Sequence, residues 1–372
     1  MQTLGRELPN YGVAAEVWIP DRHIAAELRQ WFTAHGATCE KSEALAVLNE
    51  KGLRAALSFS RHLRRRNIDL VNIHSPGYHM PLAELVAARL AGLPAVVSIH
   101  GLDATHVNSR TQYVRNRTIA SPLSGAIIVP TEIVRQQQAR FGISDDKLEF
   151  IRNSVPAQPN ALSREEARDR LGLSHDEFIV LCFGRLVPDK GIDTLLRAVE
   201  LLPPELLVRL QVLIGGIGDL ESLQELVGER SRQTIRFLGH VTDTSPFYSA
   251  SDVFVLPSRH EPFGLVFVEA GRHGVPSIGT NVGGIPEAVA DGKTGLLIEP
   301  DDPDVLAQTI LRLSENQGLR DELGEAARAR AEELFSEETM LTAYAKVFSR
   351  LVATRRGRPR RRDPSITPKS PN

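Results

Sequence analysis

Short runs rich in Val and Ile recur along this chain, each about a strand in length, and stretches of helical period separate them. A strand that is apolar at successive positions has no face to give to water. It belongs in a parallel sheet covered by helices on both sides, which is the pattern of βαβ units. "GVAAEVWIP", "DLVNIHS", "PAVVSIHG", "GAIIVPT" and "KLEFIRNS" form one series, and "FIVLCFGR", "RLQVLIGG", "IRFLGH", "DVFVLPS", "VPSIGT" and "TGLLIEP" form a second. The fold class is therefore α/β, with two doubly wound domains facing each other across a cleft.

A chain of 372 residues exceeds what one core usually supports, which agrees with two series. Between them lies "VPAQPNALSREEARDRLGLSHDE", polar and proline-bearing at its start, where "SREE" reads as a helix N-cap with acids in the first turn. We place the first domain at residues 1–160 and the second at 161–340. A helix over 341–353 should return to the first domain, and the basic stretch 354–372 should be a disordered tail. Lys plus Arg at 44 balances Asp plus Glu at 46, so net charge gives no reason to expect nucleic acid as a partner. Two cysteines, Cys39 and Cys182, fit a reducing compartment, with Cys182 expected as a buried thiol inside "FIVLCFG". The start lacks the pattern of a secretory signal and no apolar run is long enough to span a membrane, so the expected location is the cytoplasm.

In open parallel sheets ligands bind beyond the carboxyl ends of the strands. Those ends carry His74 and Ser75, His100, Thr131, Asn153, Gly184 and Arg185, Gly215 and Gly216, Ser258 and Thr280. Within "FGRLVPDKGIDTLLRAV", Arg185 follows a buried strand and Lys190 precedes a helix, a placement suited to a diphosphate. Taken alone, the two cations read equally well as solvated surface charge. "LIGGIGDL" permits close backbone approach to a ligand but lacks the full dinucleotide fingerprint, and no Walker A pattern is present.

"RHEPFGLVFVEAG" places Glu261 and Glu269 eight positions apart around a helix start near Phe263 or Gly264. Eight helical residues rise about 12 Å, too far for two carboxylates to flank one reacting atom as they do in glycosidases, at roughly 5 to 10 Å. They suit the two ends of an extended ligand, with backbone N–H groups of Gly264 and Leu265 holding anionic oxygens between them. Such a ligand is a sugar nucleotide, with Glu261 on the sugar hydroxyls and Glu269 on the ribose. The plainer alternative makes Glu261 a helix-dipole partner and Glu269 a surface residue. An acid enclosed by "LVFV" and "AG" fits that alternative poorly.

"FGRLVPDKG", the run from "FLGHVTDTSPFYSASDVFVLPSRHEPFG" to "GGIPEAVADGKTGLLIEP", and "SIHG" resemble the group 1 glycosyltransferases, glycosyltransferase family 4, with the GT-B fold of two Rossmann-like domains. The resemblance implies a retaining glycosyltransferase with a nucleotide-sugar donor, UDP- or GDP-linked, and neither a metal nor a cofactor. It implies that Arg185 and Lys190 contact the diphosphate beside Gly184, Gly215 and Gly216. Glu261, Phe263, Gly264 and Leu265 would line the sugar and phosphate side, Glu269 would bind the ribose, and Phe237 and Leu238 would touch the base. His100 matches the family histidine that approaches the donor sugar. A lone His at a strand end otherwise reads as structural. Asp302 and Asp304 in "DDPDVLAQTI" read as helix capping and not as a metal site.

Relative to the family pattern, the chain start reads as the first helix and second strand, so the first strand and its glycine-rich loop are expected to be missing. That loss would expose sheet edges. "RNSVPAQPN" keeps Asn153 but departs from the family run at Ser154 and Pro156. His74, Ser75 and Tyr78 are expected acceptor-side residues, with the acceptor itself unknown. "RHLRRRN" and the six tail arginines would attract an anionic membrane in peripheral contact. The alternative activity is a nucleotide-sugar-binding remnant without turnover. A phosphorylase or epimerase of the same architecture fits less well, and a nicotinamide oxidoreductase is opposed by the missing glycine fingerprint.

Overall fold

A computed structural model describes the strands at residues 16–19 and 38–41, together with residues 56–66, 68–75, 80–101 and 109–356. Each apolar run identified in the sequence contains a strand. β1 (Glu16–Ile19) pairs in parallel with β2 (Thr38–Lys41), whose polar sequence "TCEK" gives no apolar signal. The expectation concerning the chain start lies outside the described residues.

β3 (Val71–Ser75), β4 (Ala95–Ile99), β5 (Ala126–Val129) and β6 (Leu148–Phe150) form a parallel sheet in sequential order. β4 and β5 are buried at every position, because helices cover both faces. One face is covered by a cluster that includes Phe59, Leu63, Leu85 and Val134. The other face, Val96, Ala126 and Ile128, is covered by Leu341, Tyr344, Val347 and Phe348 of the chain's final helix, Glu337–Arg356. That helix extends beyond the 341–353 read from sequence. Residues 354–356 are helical and not tail, and Arg355 reaches back to donate to the Asp69 carbonyl at 3.3 Å. The remaining tail lies outside the described residues.

The second sheet is wholly parallel and runs β12-β11-β10-β7-β8-β9. Its strands are β7 (Phe178–Phe183), β8 (Leu210–Gly215), β9 (Ile235–Gly239), β10 (Val253–Val255), β11 (Ser277–Thr280) and β12 (Gly295–Ile298). Strand order reverses between β7 and β10, which opens a crevice at their carboxyl ends. At the opposite ends a buried ion pair fixes the layers. Arg168 Nη2 lies 2.7 Å from Asp252 Oδ2, which also accepts from the Ile179 N–H at 2.7 Å. Cys182 is fully buried and its thiol is pushed up to about 12 by that burial. Ser163 and Glu166 form the capping box of the helix Arg164–Leu171. Asp302 caps the helix Pro303–Glu315 by accepting from the Val305 N–H at 3.0 Å.

Candidate functional site

The loops after β7 and β10 meet at the reversal point and bring Lys190 and Glu261 together. Lys190 Nζ lies 2.5 Å from Glu261 Oε2, and both side chains are largely buried. The ammonium spends one of its three donors on this contact and the carboxylate spends one oxygen, so both retain capacity for a ligand. Arg185, the other expected cation, is exposed and has no ion pair among the described residues. Two helices begin in the same crevice, Ile192–Glu200 at Gly191 and Leu265–Arg272 at Gly264, and neither has a side-chain cap. At the exposed Leu265 start the first N–H groups are available to an anion, whereas the Ile192 start is buried against Asp193 and Arg259. Gly264 sits at φ 89°, where a side chain would be strained, and a Cβ there would also run into the Phe267 ring.

The loop is held by residues to which the sequence reading assigned no role. Arg259 forks Asp193 at 2.8 and 2.7 Å, reaches Asp301 at 2.7 Å and donates to the Pro188 carbonyl at 2.5 Å. The backbone N–H groups of Arg259 and His260 both donate to the Asp189 carbonyl. The segment carrying Lys190 is thereby bound to the segment carrying Glu261. From the far side, the Gly284 N–H donates to the Glu261 carbonyl at 2.9 Å, and a Cβ on Gly283 would stand 1.9 Å from that oxygen. The "GG" of "NVGGIPE" was a visible signal for such close approach.

Glu269 stands farther along its helix and accepts from Tyr248 Oη at 2.9 Å. Burial raises the Glu269 carboxyl above its ordinary range, opposed by the Tyr248 hydrogen bond. Phe263 is turned inward against Phe335, with ring centres 5.6 Å apart, so it can offer a ligand only its backbone. Leu265 is exposed, whereas Phe237 and Leu238 are half-buried on β9, the edge strand. The Gly184 N–H donates to the Gly215 carbonyl at 3.1 Å, and a Cβ on Gly216 would meet the Gly184 carbonyl at 1.7 Å, so the ends of β7 and β8 are as close as backbones allow.

On the first sheet, His74 and His100 come together, with His74 Nδ1 2.6 Å from His100 Nε2. The planes are 9° apart, and the 4.9 Å between ring centres is the N···N distance plus the two ring radii, so the rings meet edge to edge. Burial pushes His74 down to about 3, with His100 beside it adding to the effect, and pushes His100 down to about 4 although one side of that ring stays open. Two cationic rings cannot share this contact, and desolvation disfavours a charge on either ring. Ser75 is buried and its carbonyl accepts from the His100 N–H, whereas Tyr78 lies outside the described residues. The domains touch where Thr131 Oγ1 donates to the Pro262 carbonyl at 3.2 Å. Beside it the Glu132 N–H, at the start of the helix Glu132–Arg140, donates to Glu287 Oε1 at 2.6 Å. Among the described residues no group of three or more His, Cys, Asp or Glu is placed to hold a metal ion, and no helix is long and apolar enough to cross a membrane.

Two parallel α/β domains with a crevice of this kind define the GT-B class, and solved structures agree with that fold. A glycosyltransferase from Rickettsia africae superposes with a TM-score of 0.79 at 20% identity over 94% of each chain. HepE from Anabaena, solved with UDP, superposes at 0.78 and 21% identity over 94% of this chain and 95% of that one. Residues 163–330 match the family of glycosyl transferases group 1 and residues 1–158 match glycosyltransferase family 4; the chain belongs to the group 1 glycosyltransferases. It is 33% identical over 295 residues to a D-inositol 3-phosphate glycosyltransferase of Streptomyces scabiei, covering 71% of this chain and 64% of that one. The match to the Streptomyces avermitilis protein of that name spans about half of the relative, 45%. An N-acetyl-alpha-D-glucosaminyl L-malate synthase of Bacillus anthracis is 26% identical over 77% of this chain and 75% of its own.

Proposed function

We propose that this protein is a retaining glycosyltransferase that moves a sugar from a UDP- or GDP-sugar to a sugar, lipid-linked or small-molecule acceptor without a metal. The observation that carries the reading is the pairing of Lys190 with Glu261 at a strand-order reversal, beside two helix starts without side-chain caps. The ligands with which HepE has been solved, UDP and UDP-glucose, support a uridine nucleotide in this architecture. Relatives that act on an inositol phosphate and on malate support a small anionic acceptor as readily as a lipid-linked one.

In this reading Lys190 and Arg185 hold the diphosphate together with the N–H groups at Gly264 and Leu265, Glu261 turns an oxygen to the sugar hydroxyls, and Glu269 takes the ribose. His100 faces the sugar from the first domain. The bond from the anomeric carbon to the phosphate oxygen breaks and its electron pair leaves with the diphosphate, where the two cations stabilise it. The acceptor oxygen bonds to the same face of the sugar, and its proton passes to the departing phosphate. No group beyond donor and acceptor is needed for balance. The protein acts in the cytoplasm, with peripheral contact to anionic membrane through the exposed Arg61, Arg64 and Arg65.

Calorimetric titration with UDP-, GDP- and ADP-sugars tests the reading beside Glu269→Ala. Loss of a charge-assisted hydrogen bond should weaken binding roughly ten- to a hundredfold. Equal affinity in the variant would remove Glu269 from the site. Binding without any transfer or hydrolysis would favour a non-catalytic protein, and failure of phosphatidylglycerol vesicles to pull the protein down at low salt would remove the membrane contact.

A further inference from the structure

The register of β3 against β4 sets His74 opposite Ser98 and leaves His100 one residue past its strand. A single file of hydrogen bonds runs through these positions. Tyr344 Oη, reaching in from the final helix, lies 3.3 Å from Ser98 Oγ, and Ser98 Oγ lies 3.0 Å from Asn72 Oδ1. Asn72 Nδ2 then faces His74 Nε2 at 3.2 Å, and His74 Nδ1 faces His100 Nε2.

Each member has a limited number of protons, and that fixes the direction of the file. Tyr344 and Ser98 are both buried, and each hydroxyl proton needs an acceptor. If Tyr344 donates to Ser98 and Ser98 donates to Asn72 Oδ1, both are satisfied, and the amide turns its NH2 toward His74. An NH2 only donates, so His74 Nε2 is bare, and the His74 proton sits on Nδ1 and points at His100 Nε2. Turning the amide over would send its NH2 toward Ser98. One of the two buried hydroxyls would then keep a proton with no acceptor among the described residues, at a cost that the first arrangement avoids.

We propose that Tyr344, Ser98, Asn72 and His74 are positioning residues that hold His100 as the Nδ1–H tautomer, so that His100 meets a bound sugar as a neutral hydrogen-bond donor. The assignment of the tautomer stands on the hydrogen bonds alone; its use toward a sugar rests on the glycosyltransferase reading. The burial that keeps both rings neutral is what lets one tautomer persist at pH 7.

The full chain labelled with 15N-histidine tests this through two-bond 1H–15N correlation spectra at pH 7, beside Asn72→Asp. In the wild type both His74 and His100 should appear as Nδ1–H tautomers. A carboxylate at position 72 can only accept, so the variant should convert both rings to Nε2–H. Hydrolysis of UDP-glucose or GDP-glucose should then fall about a hundredfold in kcat, as when one preorganised donor is removed. Nucleotide Kd should stay within roughly threefold, a split that a merely structural loss would not produce. A wild-type His100 with its proton on Nε2 overturns the assignment, and a converted variant with undiminished kcat overturns its use. If neither nucleotide sugar binds, the transferase reading falls, while the wild-type spectra still decide the tautomer even should the variant fail to fold.

Discussion

Glu269 is placed where its charge is costly without a ligand. Burial raises its carboxyl pKa, so around and above the ordinary carboxylate range the native state binds more protons than the unfolded chain. Stability is therefore greatest below that window and declines as pH rises through it. Glu269→Gln should have an equal or higher Tm than wild type at pH 8, and a flatter dependence of Tm on pH, while it binds nucleotide sugar roughly tenfold more weakly. A lower Tm at pH 8 would count against the desolvation argument. The histidine pair works in the opposite direction. Both rings are depressed below their ordinary 6.5, so unfolding takes up protons and stability is lost as pH falls from about 6.5 toward 4. In thermal melts from pH 7 to 4.5, His74→Gln should lose less stability than wild type, and parallel curves would refute the assignment.

Among elements, the loops after β7 and β10 behave as one body because Arg259 bridges them. Arg259→Ala should cost about 1.5 to 3 kcal/mol by chemical denaturation and weaken donor binding through the Lys190 segment. Arg259→Lys should recover little, since a point charge cannot fork Asp193 and also reach Asp301. Strands were legible because burial on both faces writes continuous apolar runs, and β2 was not because "TCEK" carries no such mark. Glu261 and Glu269 stood out as acids in an apolar stretch. Tyr248, Asn72 and Tyr344 did not, since their importance comes from what lies across 21, 26 or 246 positions in space. Periodicity reports which face of an element is covered, and not which hydroxyl finds which acceptor.

On the scale of the molecule, contacts among the described residues join the two domains at several places. The Thr131 hydroxyl meets the Pro262 carbonyl, Glu287 accepts from the start of a first-domain helix, and the final helix lies across the first sheet. Phe348 is buried there, and Phe348→Ala should cost about 3 to 5 kcal/mol. Because that helix also carries Tyr344, the variant should disturb the His100 resonances although Phe348 lies outside the crevice. Unchanged histidine spectra would show that the helix does not set them. The helix has a further consequence, for synthesis. Ile151 and Glu337 are 186 positions apart, so at about 5 to 20 residues per second the first sheet leaves the ribosome some 10 to 40 s before its cover. During that interval Val96, Ala126 and Ile128 face solvent or a chaperone, and the nascent chain is open to aggregation until the helix Glu337–Arg356 has been translated.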